Sequence, residues 1–277
     1  MPVTLDQIVA RTRARVAETR RSTDLATLER RAREHTVRGF RRSLAQAATR
    51  NVAVIAELKK ASPSRGVMRG AFPVGGLAQQ LAQAGAAALS VLTEEEFFHG
   101  SLVYLDEASI ASGLPCLRKD FIVDDFQLLE ARAHCADAVL LIAAAISSVE
   151  LPALARRARE LELDVLCEIH NEHELGRALE AGCDLIGVNS RDLRTFQVDL
   201  GTALRLGPQI PAGVFRVAES GIQSAADIHR LRGAGYQAFL IGESLMQADS
   251  PGAALKQLLA EAATALPLPS PKLRSAC

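Results

Sequence analysis

The stretch PCLRKDFIVDDFQLLEARAHCADAVLLIAAAISSVELPALARRARELELDVLCEIH, residues 115–170, decides the fold. Three short apolar runs, at 115–121 (PCLRKDF), 138–144 (AVLLIAA) and 164–170 (DVLCEIH), are separated by two longer segments of helical character. In the second segment Val149, Leu151, Leu154, Ala155, Ala158 and Leu161 recur at spacings near 3.6. A helix over 147–163 therefore presents one apolar stripe that can cover the outside of a parallel sheet. Asp124-Asp125 ahead of FQLLEARA supply a start signal for the first helix.

The same alternation extends in both directions. Upstream lie 52–59 (VAVIAELK) and 88–94 (ALSVLTE); downstream lie 185–190 (LIGVNS), 214–220 (VFRVAES) and 238–244 (AFLIGES), making eight strand runs in all. Ser224 is placed to cap a helix, and Gly85, Gly182 and Gly235 are placed to end helices. Eight strand-helix units with no GxGxxG turn favour an α/β fold of the (β/α)8 TIM-barrel type over an open doubly wound sheet. Ahead of the barrel, residues 1–50 read as an Arg-rich helical extension with Leu5, Ile8, Val9, Val16, Leu25 and Leu28 facing inward. Residues 1–266 are expected to form a single barrel domain that includes these helices. Residues 267–277, within the Pro/Ser-rich LPLPSPKLRSAC, are expected to form a flexible tail.

Composition narrows the class of function. Lys+Arg and Asp+Glu balance at 32 each, so no overall field draws the chain toward nucleic acid or anionic lipid, and an anionic ligand must be bound locally. The Arg-rich N-terminal run reads as a solvated helix face. Five cysteines (Cys116, Cys135, Cys167, Cys183, Cys277) without CxxC spacing read as reduced thiols, which places the chain in the cytoplasm. Residues 1–21 show no apolar h-region, so no signal peptide is expected, and no apolar run reaches the ~20 residues of a membrane span.

Active sites of such barrels lie at the C-terminal ends of the strands. The polar residues closing the apolar runs are Glu57, Lys59, Glu94, Lys119, Glu168, His170, Asn189, Arg191, Glu219, Ser220, Gly242 and Glu243. Side chains two apart share a face, so Glu57 with Lys59 and Asn189 with Arg191 can point into one mouth. The chain has only five lysines, and two of them, Lys59 and Lys119, close strands. An amine can exchange a proton where a guanidinium effectively cannot, which singles out both for acid-base work. The runs Ala218-Glu219-Ser220-Gly221-Ile222 and Leu240-Ile241-Gly242-Glu243-Ser244 put small residues after the seventh and eighth strands, where barrels often bind phosphate. Ser62-Pro63-Ser64 offers a further lip, and Phe97-Phe98 serve equally as core or as a wall for a flat ligand. His170 and His173 lack a third ligand at zinc spacing and read as a solvated loop; no metal site is expected.

The ordered stretches VIAELKKASPSRG, GAAALSVLTEEEFFHGS, LRKDFIVDDFQLLEARA, ADAVLLIAAAI, CEIHNEHEL, IGVNSRDL, VAESGI and FLIGESLM resemble the indole-3-glycerol phosphate synthase family over roughly residues 55–246. The resemblance implies closure of an indole ring: 1-(2-carboxyphenylamino)-1-deoxyribulose 5-phosphate yields indole-3-glycerol phosphate, CO2 and water in tryptophan biosynthesis, with no cofactor. It further implies Lys119 as general acid and Glu168 as base. Lys59 is linked to phosphate binding or to an alternative acid role, and Glu57 and Asn189 stabilise the reacting centre. Arg191 helps hold the anthranilate carboxylate, Glu219 closes the polar wall, and Ser62, Phe121, Ser220, Gly221, Gly242 and Glu243 bind substrate. Ser190, and Val103-Tyr104, depart from the family pattern and put substrate orientation in doubt. The expected partner is a small phosphorylated molecule, with neither nucleic acid nor membrane, and association with other tryptophan-pathway enzymes is left open. Rival readings are a phosphoribosylanthranilate isomerase, which would want a Cys/Asp pair, a Schiff-base aldolase using Lys119 or Lys59, and a non-catalytic scaffold.

Overall fold

The computed structural model describes residues 4–63, 65–192, 195 and 197–264. Eight parallel strands close on themselves: β1 (Ala53–Leu58), β2 (Ala88–Leu92), β3 (Cys116–Lys119), β4 (Ala138–Ile142), β5 (Asp164–Ile169), β6 (Leu185–Asn189), β7 (Phe215–Glu219) and β8 (Ala238–Ile241). Neighbours in sequence are neighbours in space, and β1 completes the ring by pairing Ile55 with Ala88 on one side and Ala53 with Ala238 on the other. All eight predicted runs are strands, each shorter than expected by one to three residues. The third and eighth lose three residues each, and at the eighth Glu243 already begins a short helix. Backbone groups past the rim have no neighbour to continue the ladder, so the chain turns there.

The strands are buried on both faces, and alternation splits their side chains between two cores. Val54, Ala56 and Leu58 of β1 join the layer beneath the outer helices. Ala53 and Ile55, with Leu117, Leu140, Leu166, Leu185, Val217 and Leu240, fill the barrel interior. Burying a Leu or Ile side chain contributes ~1.5–3 kcal/mol, so a one-residue slip of register would expose several such side chains' worth.

Several of the outer helices, which include α4 (Val74–Gln83), α5 (Leu102–Ser112) and α9 (Leu200–Leu206), start or stop where a capping residue stands. Asp124 accepts from the Phe126 N–H ahead of α6 (Asp125–Ala133). Ser224 and Asp227 form a capping box ahead of α10 (Ala225–Gly233). Gly85, Gly182 and Gly235 all have positive φ after their helices. In α7 (Glu150–Glu160), Leu151, Leu154, Ala155 and Ala158 are buried as expected. Val149 is 84% exposed, because the helix begins one residue later and leaves Val149 on its open side.

The N-terminal extension forms α1 (Leu5–Ser22), α2 (Leu25–Glu34) and α3 (Phe40–Arg50), and it runs from the rim at the C-terminal ends of the strands to the floor of the barrel. At the rim, Arg13 donates to the Val123 carbonyl and Arg20 pairs with Asp124 and Asp125. At the floor, Phe40 and Leu44 plug the barrel interior, the Arg41 N–H donates to Asp164, and Ser43 donates to the Ala87 carbonyl. Between them, Arg38 donates to both carboxylate oxygens of buried Asp137 and to Ser109. Ile8, Val16 and Leu28 are buried, Leu5 and Val9 are half-buried, and Leu25 is 44% exposed, a correction that follows from its place in the first turn of α2. The arginines of α1 are not merely a solvated face, since Arg11, Arg13 and Arg20 pair with acids of the barrel loops. Cys116, Cys167 and Cys183 are buried free thiols and Cys135 is half-buried. Ser64, Cys277 and the expected tail 267–277 lie outside the described residues. No helix among the described residues is long and apolar enough to cross a membrane.

Candidate active site

The parallel register brings the last inward-facing residue of several strands into one layer at the C-terminal mouth. Ile142 sits opposite Glu168, and Asn189 opposite Glu219. Glu57, Lys59, Lys119, Glu168, Asn189, Arg191 and Glu219 all line one cavity, and Ser62 and Phe121 line it too. The strand-end residues that the alternation placed together are therefore together. Glu94 is the exception: its carboxylate turns away to accept the N–H groups of Glu96, Phe97 and Phe98, so it shapes the loop after β2.

Lys119 is the centre of the polar floor. Its Nζ lies 3.3 Å from Glu168 Oε2 and 3.9 Å from Glu219 Oε2. Burial by itself would lower its pKa, but the charges of Glu168, Glu219 and Glu57 outweigh that and hold the ammonium protonated well above its ordinary range. Glu168 moves the opposite way: burial opposes ionisation, yet Lys119, His170 and the Asn189 amide keep its carboxylate below the usual value. Glu219, with a side chain 2% exposed, is pushed well up by burial and by the charge of Glu168. Two carboxylates share one ammonium, and the balance of burial, mutual repulsion and that ammonium pushes them in opposite directions, Glu168 toward the ionised form and Glu219 toward the protonated one.

Lys59 makes a second pair across the floor, donating to Glu57 Oε1 at 2.6 Å, while Ser90 reaches Glu57 Oε2 at 3.5 Å. Glu57 is held low, with burial outweighed by Lys59 and Lys119. Two glycines make room for these carboxylates. A Cβ on Gly242 would lie 2.5 Å from Glu57 Oε1, and one on Gly187 would collide with Glu219 Oε1. Gly187 was not foreseen; a lone glycine inside an apolar strand is the signal that could have found it.

The opposite wall is apolar, formed by Leu92, Phe98, Phe121, Leu140, Ile142 and Leu240. The Phe98 and Phe121 rings are tilted, with centroids 6.2 Å apart, and Phe98 both lines the cavity and packs against the barrel-interior core. Leu140, Ile142 and Leu240 were missed as site residues; their signal was their inward parity near the ends of β4 and β8.

A second recess adjoins the first and shares Glu57, Lys59, Arg191, Ser220 and Glu243 with it. Gly221, Gly242 and Ser244 line it, as does Arg65 from the loop after β1, which sequence reading had not singled out. Ser220 and Gly221 both adopt left-handed backbone conformations, at φ 65° and 78°. For a serine this costs on the order of 1 kcal/mol and is the kind of strain that clusters at ligand sites. Glu243 accepts from Arg65 Nε at 2.9 Å and from Arg191 Nη2 at 2.9 Å, so two guanidiniums are already gathered at this end.

His170 corrects a reading. It is not in a solvated loop: its side chain is 14% exposed and is wedged between Glu168 and Glu174. Among the described residues no cluster of three or more His, Cys, Asp or Glu is arranged to hold a metal ion. Ser190 is buried and Val103 is exposed, and neither of them nor Tyr104 lines the cavities, so the departures from the family pattern stay clear of the site.

Comparison with other proteins adds an independent line. The family model described as Indole-3-glycerol phosphate synthase matches residues 5–258. An indole-3-glycerol phosphate synthase of Koribacter versatilis is 54% identical over 259 residues, covering 94% of this chain and all of the relative. One from Burkholderia vietnamiensis is 49% identical over 255 residues, covering 92% and 98%. Among solved structures, KGPDC from Streptococcus mutans superposes with a TM-score of 0.59 at 12% identity, over 76% of this chain and 97% of that one. Orotidine 5'-phosphate decarboxylase from Pyrococcus horikoshii gives 0.58 at 10% identity, over 76% and 98%. At such identities the two structures speak for the barrel alone.

Proposed function

The chain belongs to the indole-3-glycerol phosphate synthase family, and from that premise we propose that its barrel mouth closes the indole ring through Lys119 and Glu168. The reaction converts 1-(2-carboxyphenylamino)-1-deoxyribulose 5-phosphate into indole-3-glycerol phosphate, CO2 and water. The observation that carries the assignment of roles is Lys119, kept protonated by carboxylates on a floor that faces an apolar wall.

The substrate spans both recesses. Its phosphate occupies the one bordered by Ser220, Gly221, Gly242 and Glu243, where Arg65, Arg191 and Lys59 supply positive charge. Its aromatic ring lies against Phe98, Phe121 and the leucines, which exclude water and strengthen the charges below. Arg191, on the boundary between the recesses, is within reach of the anthranilate carboxylate. Phosphate binding remote from the chemistry fixes the ketone over Lys119.

As the ring carbon attacks the ketone, the Lys119 ammonium donates a proton to the carbonyl oxygen, and the carboxylate leaves as CO2. Dehydration then removes a proton from the carbon beside the nitrogen to the ionised Glu168, while the hydroxyl takes a proton from Lys119, recharged from water, and leaves as water. Glu57 and Asn189 flank the reacting centre, with Glu57 tied to Lys59. Lys59 therefore serves the boundary between acid and phosphate functions. A Schiff-base role for Lys119 is disfavoured, since a nucleophilic amine must be neutral and three carboxylates hold this one charged.

The test is indole-3-glycerol phosphate formation from the synthetic anilino-deoxyribulose phosphate by the wild type, Lys119→Met and Glu168→Gln. Activity in the wild type and losses of ~100-fold or more in both folded variants are expected, as for removal of a general acid or base. Near wild-type turnover in either variant would reassign that residue's role.

A further inference from the structure

Glu168 has a second neighbour that the reaction as described does not use. On β5 the alternation that turns Glu168 into the mouth brings His170, two residues on, to the same side just past the strand end. The His170 ring lies between two carboxylates. Its Nδ1 is 3.1 Å from Glu174 Oε2, and its Nε2 is 3.5 Å from Glu168 Oε1. The first contact is a hydrogen bond. The second lacks hydrogen-bond alignment, so Nε2 is a buried polar atom with no hydrogen-bond partner, and Glu168 lies beside it.

Glu174 is held with unusual care for a carboxylate near the start of a helix. It lies in α8 (Glu172–Glu180) and accepts from the His170 backbone N–H at 2.7 Å and from Asn171 Nδ2 at 2.7 Å, while the Asn171 side chain caps the same helix. This arrangement fixes the ring orientation. With Glu174 as acceptor, the proton of a neutral imidazole resides on Nδ1, and Nε2 presents its lone pair toward Glu168. Glu168 is thus addressed from both sides, by Lys119 at Oε2 and by His170 at Oε1.

We propose that His170 is a positioning residue that acts through Glu168, standing beside its carboxylate as the acceptor that carries away the proton Glu168 collects in each turnover. The inference rests on Glu168 being the base of the proposed reaction. In the dehydration step a C–H bond of the new five-membered ring breaks and its proton goes to Glu168, its electron pair forms the C=C bond that completes the indole, and the hydroxyl takes a proton from the Lys119 ammonium, recharged from water, and departs as water. The proton then passes from Glu168 Oε1 to His170 Nε2. The imidazolium so formed sits between the carboxylates of Glu168 and Glu174. It is returned to neutral by passing its Nδ1 proton to Glu174 Oε2, 3.1 Å away, and the Glu174 carboxyl, its side chain 11% exposed, releases that proton to water.

The charged groups facing the ring are Glu168 of β5, Glu174 of α8 and, on the far side of Glu168, Lys119 of β3. Burial lowers the proton affinity of the imidazole. The hydrogen bond to Glu174 and the charges of Glu168 and Glu174 more than offset it, against a smaller opposing effect of Lys119, so the ring is a better proton acceptor than a free histidine.

The experiment is multiple-turnover indole-3-glycerol phosphate formation at several pH values by the wild type, His170→Gln, Glu174→Gln and Glu168→Gln, with and without added imidazole, beside a single-turnover control. The relay predicts a roughly 10–100-fold lower kcat in His170→Gln, the range typical of outer-shell partners, with a nearly unchanged single turnover and unchanged substrate affinity. It also predicts a changed pH profile and partial rescue by imidazole in the buffer. Glu174→Gln should shift the pH profile in the same sense with a smaller loss. A folded His170→Gln with wild-type rate and profile overturns the relay. So does an equal loss at every pH without imidazole rescue, which would mark His170 as structural. Should Glu168→Gln itself keep near wild-type activity, the base assignment falls first; a dead Glu168→Gln beside an unperturbed His170→Gln removes the relay alone.

Discussion

Replacing Arg118 by methionine should destabilise the barrel and disturb the site at the same time. Arg118 points away from the mouth while Lys119 points into it, and its side chain is only 1% exposed. It donates to Thr93 Oγ1 at 3.2 Å, to the Gln127 carbonyl at 2.7 Å, to Glu130 Oε2 at 3.2 Å and to Asp120 Oδ2 at 3.0 Å. Methionine fills much of the same volume but leaves Asp120, whose side chain is fully buried, with only Thr93 and the Phe121 N–H as close hydrogen-bond donors. Removing one partner of a buried ion pair costs about 3–5 kcal/mol. At 2–4 °C per kcal/mol for a domain of this size, Tm should fall by roughly 6–20 °C. Asp120 also anchors the Phe121 N–H, so kcat should drop more than KM rises when measured well below the melting temperature. Thermal melts and urea midpoints of R118M, D120N and the double variant supply the assay. The double variant should be more stable than the sum of the single losses predicts by roughly 0.5–3 kcal/mol, because neutralising Asp120 removes the stranded charge. A loss in R118M below about 1 kcal/mol, or strict additivity, would refute the view that a desolvated charge cluster sets the end of β3.

The strap between α2 and α3 should be pH-sensitive in two senses. Burial opposes ionisation of Asp137, but the adjacent His35 ring and hydrogen bonds from Arg38 and the Cys116 N–H outweigh it and hold the carboxylate low, so its contribution is present above about pH 4 and lost as pH falls through the folded pKa. Asp137→Asn should therefore flatten the acid limb of stability against pH, followed by urea midpoints. His35 carries the opposite sign: burial lowers its pKa, Asp137 and Cys135 raise it further, and the contribution is complete below about pH 6.5 and lost as pH rises through the folded value. His35→Gln should cost more stability at pH 6 than at pH 9. Gly242→Ala places a methyl 2.5 Å from Glu57 Oε1, and should cost about 1–3 kcal/mol of overpacking and lower kcat by displacing the Glu57–Lys59 pair, read from Tm and initial rates. Glu219→Gln mimics the protonated carboxyl that burial and Glu168 impose, so it should keep at least ten times the activity of Glu168→Gln near neutral pH, assayed side by side.

Strand number, parity and the address of the site were legible in the chain before folding. Period-two alternation forces Glu57, Lys119, Glu168, Asn189 and Glu219 to the inside once the apolar runs are strands, and a closed parallel barrel leaves one mouth for them. Caps at Asp124 and Ser224 and left-handed glycines at Gly85, Gly182 and Gly235 are local chemistry, and they appear where the sequence places them. Leu25 and Val149 misled because an apolar side chain at a helix start obeys the period without meeting a partner.

Pairing was decided only in three dimensions. Nothing local tells Glu94 to cap its own loop while Glu57 pairs with Lys59, since both close apolar runs with the same carboxylate. Which of Glu168 and Glu219 stays ionised depends on distances to Lys119 across strands 49 and 100 residues away in sequence, and on burial that no window of sequence contains. The same holds for His170, which reads as a loop residue and becomes the back wall of the base only because α8 returns Glu174 beside it. Periodicity is a property of the backbone and survives in the sequence, whereas charge state is a property of the surroundings and exists only after the barrel closes.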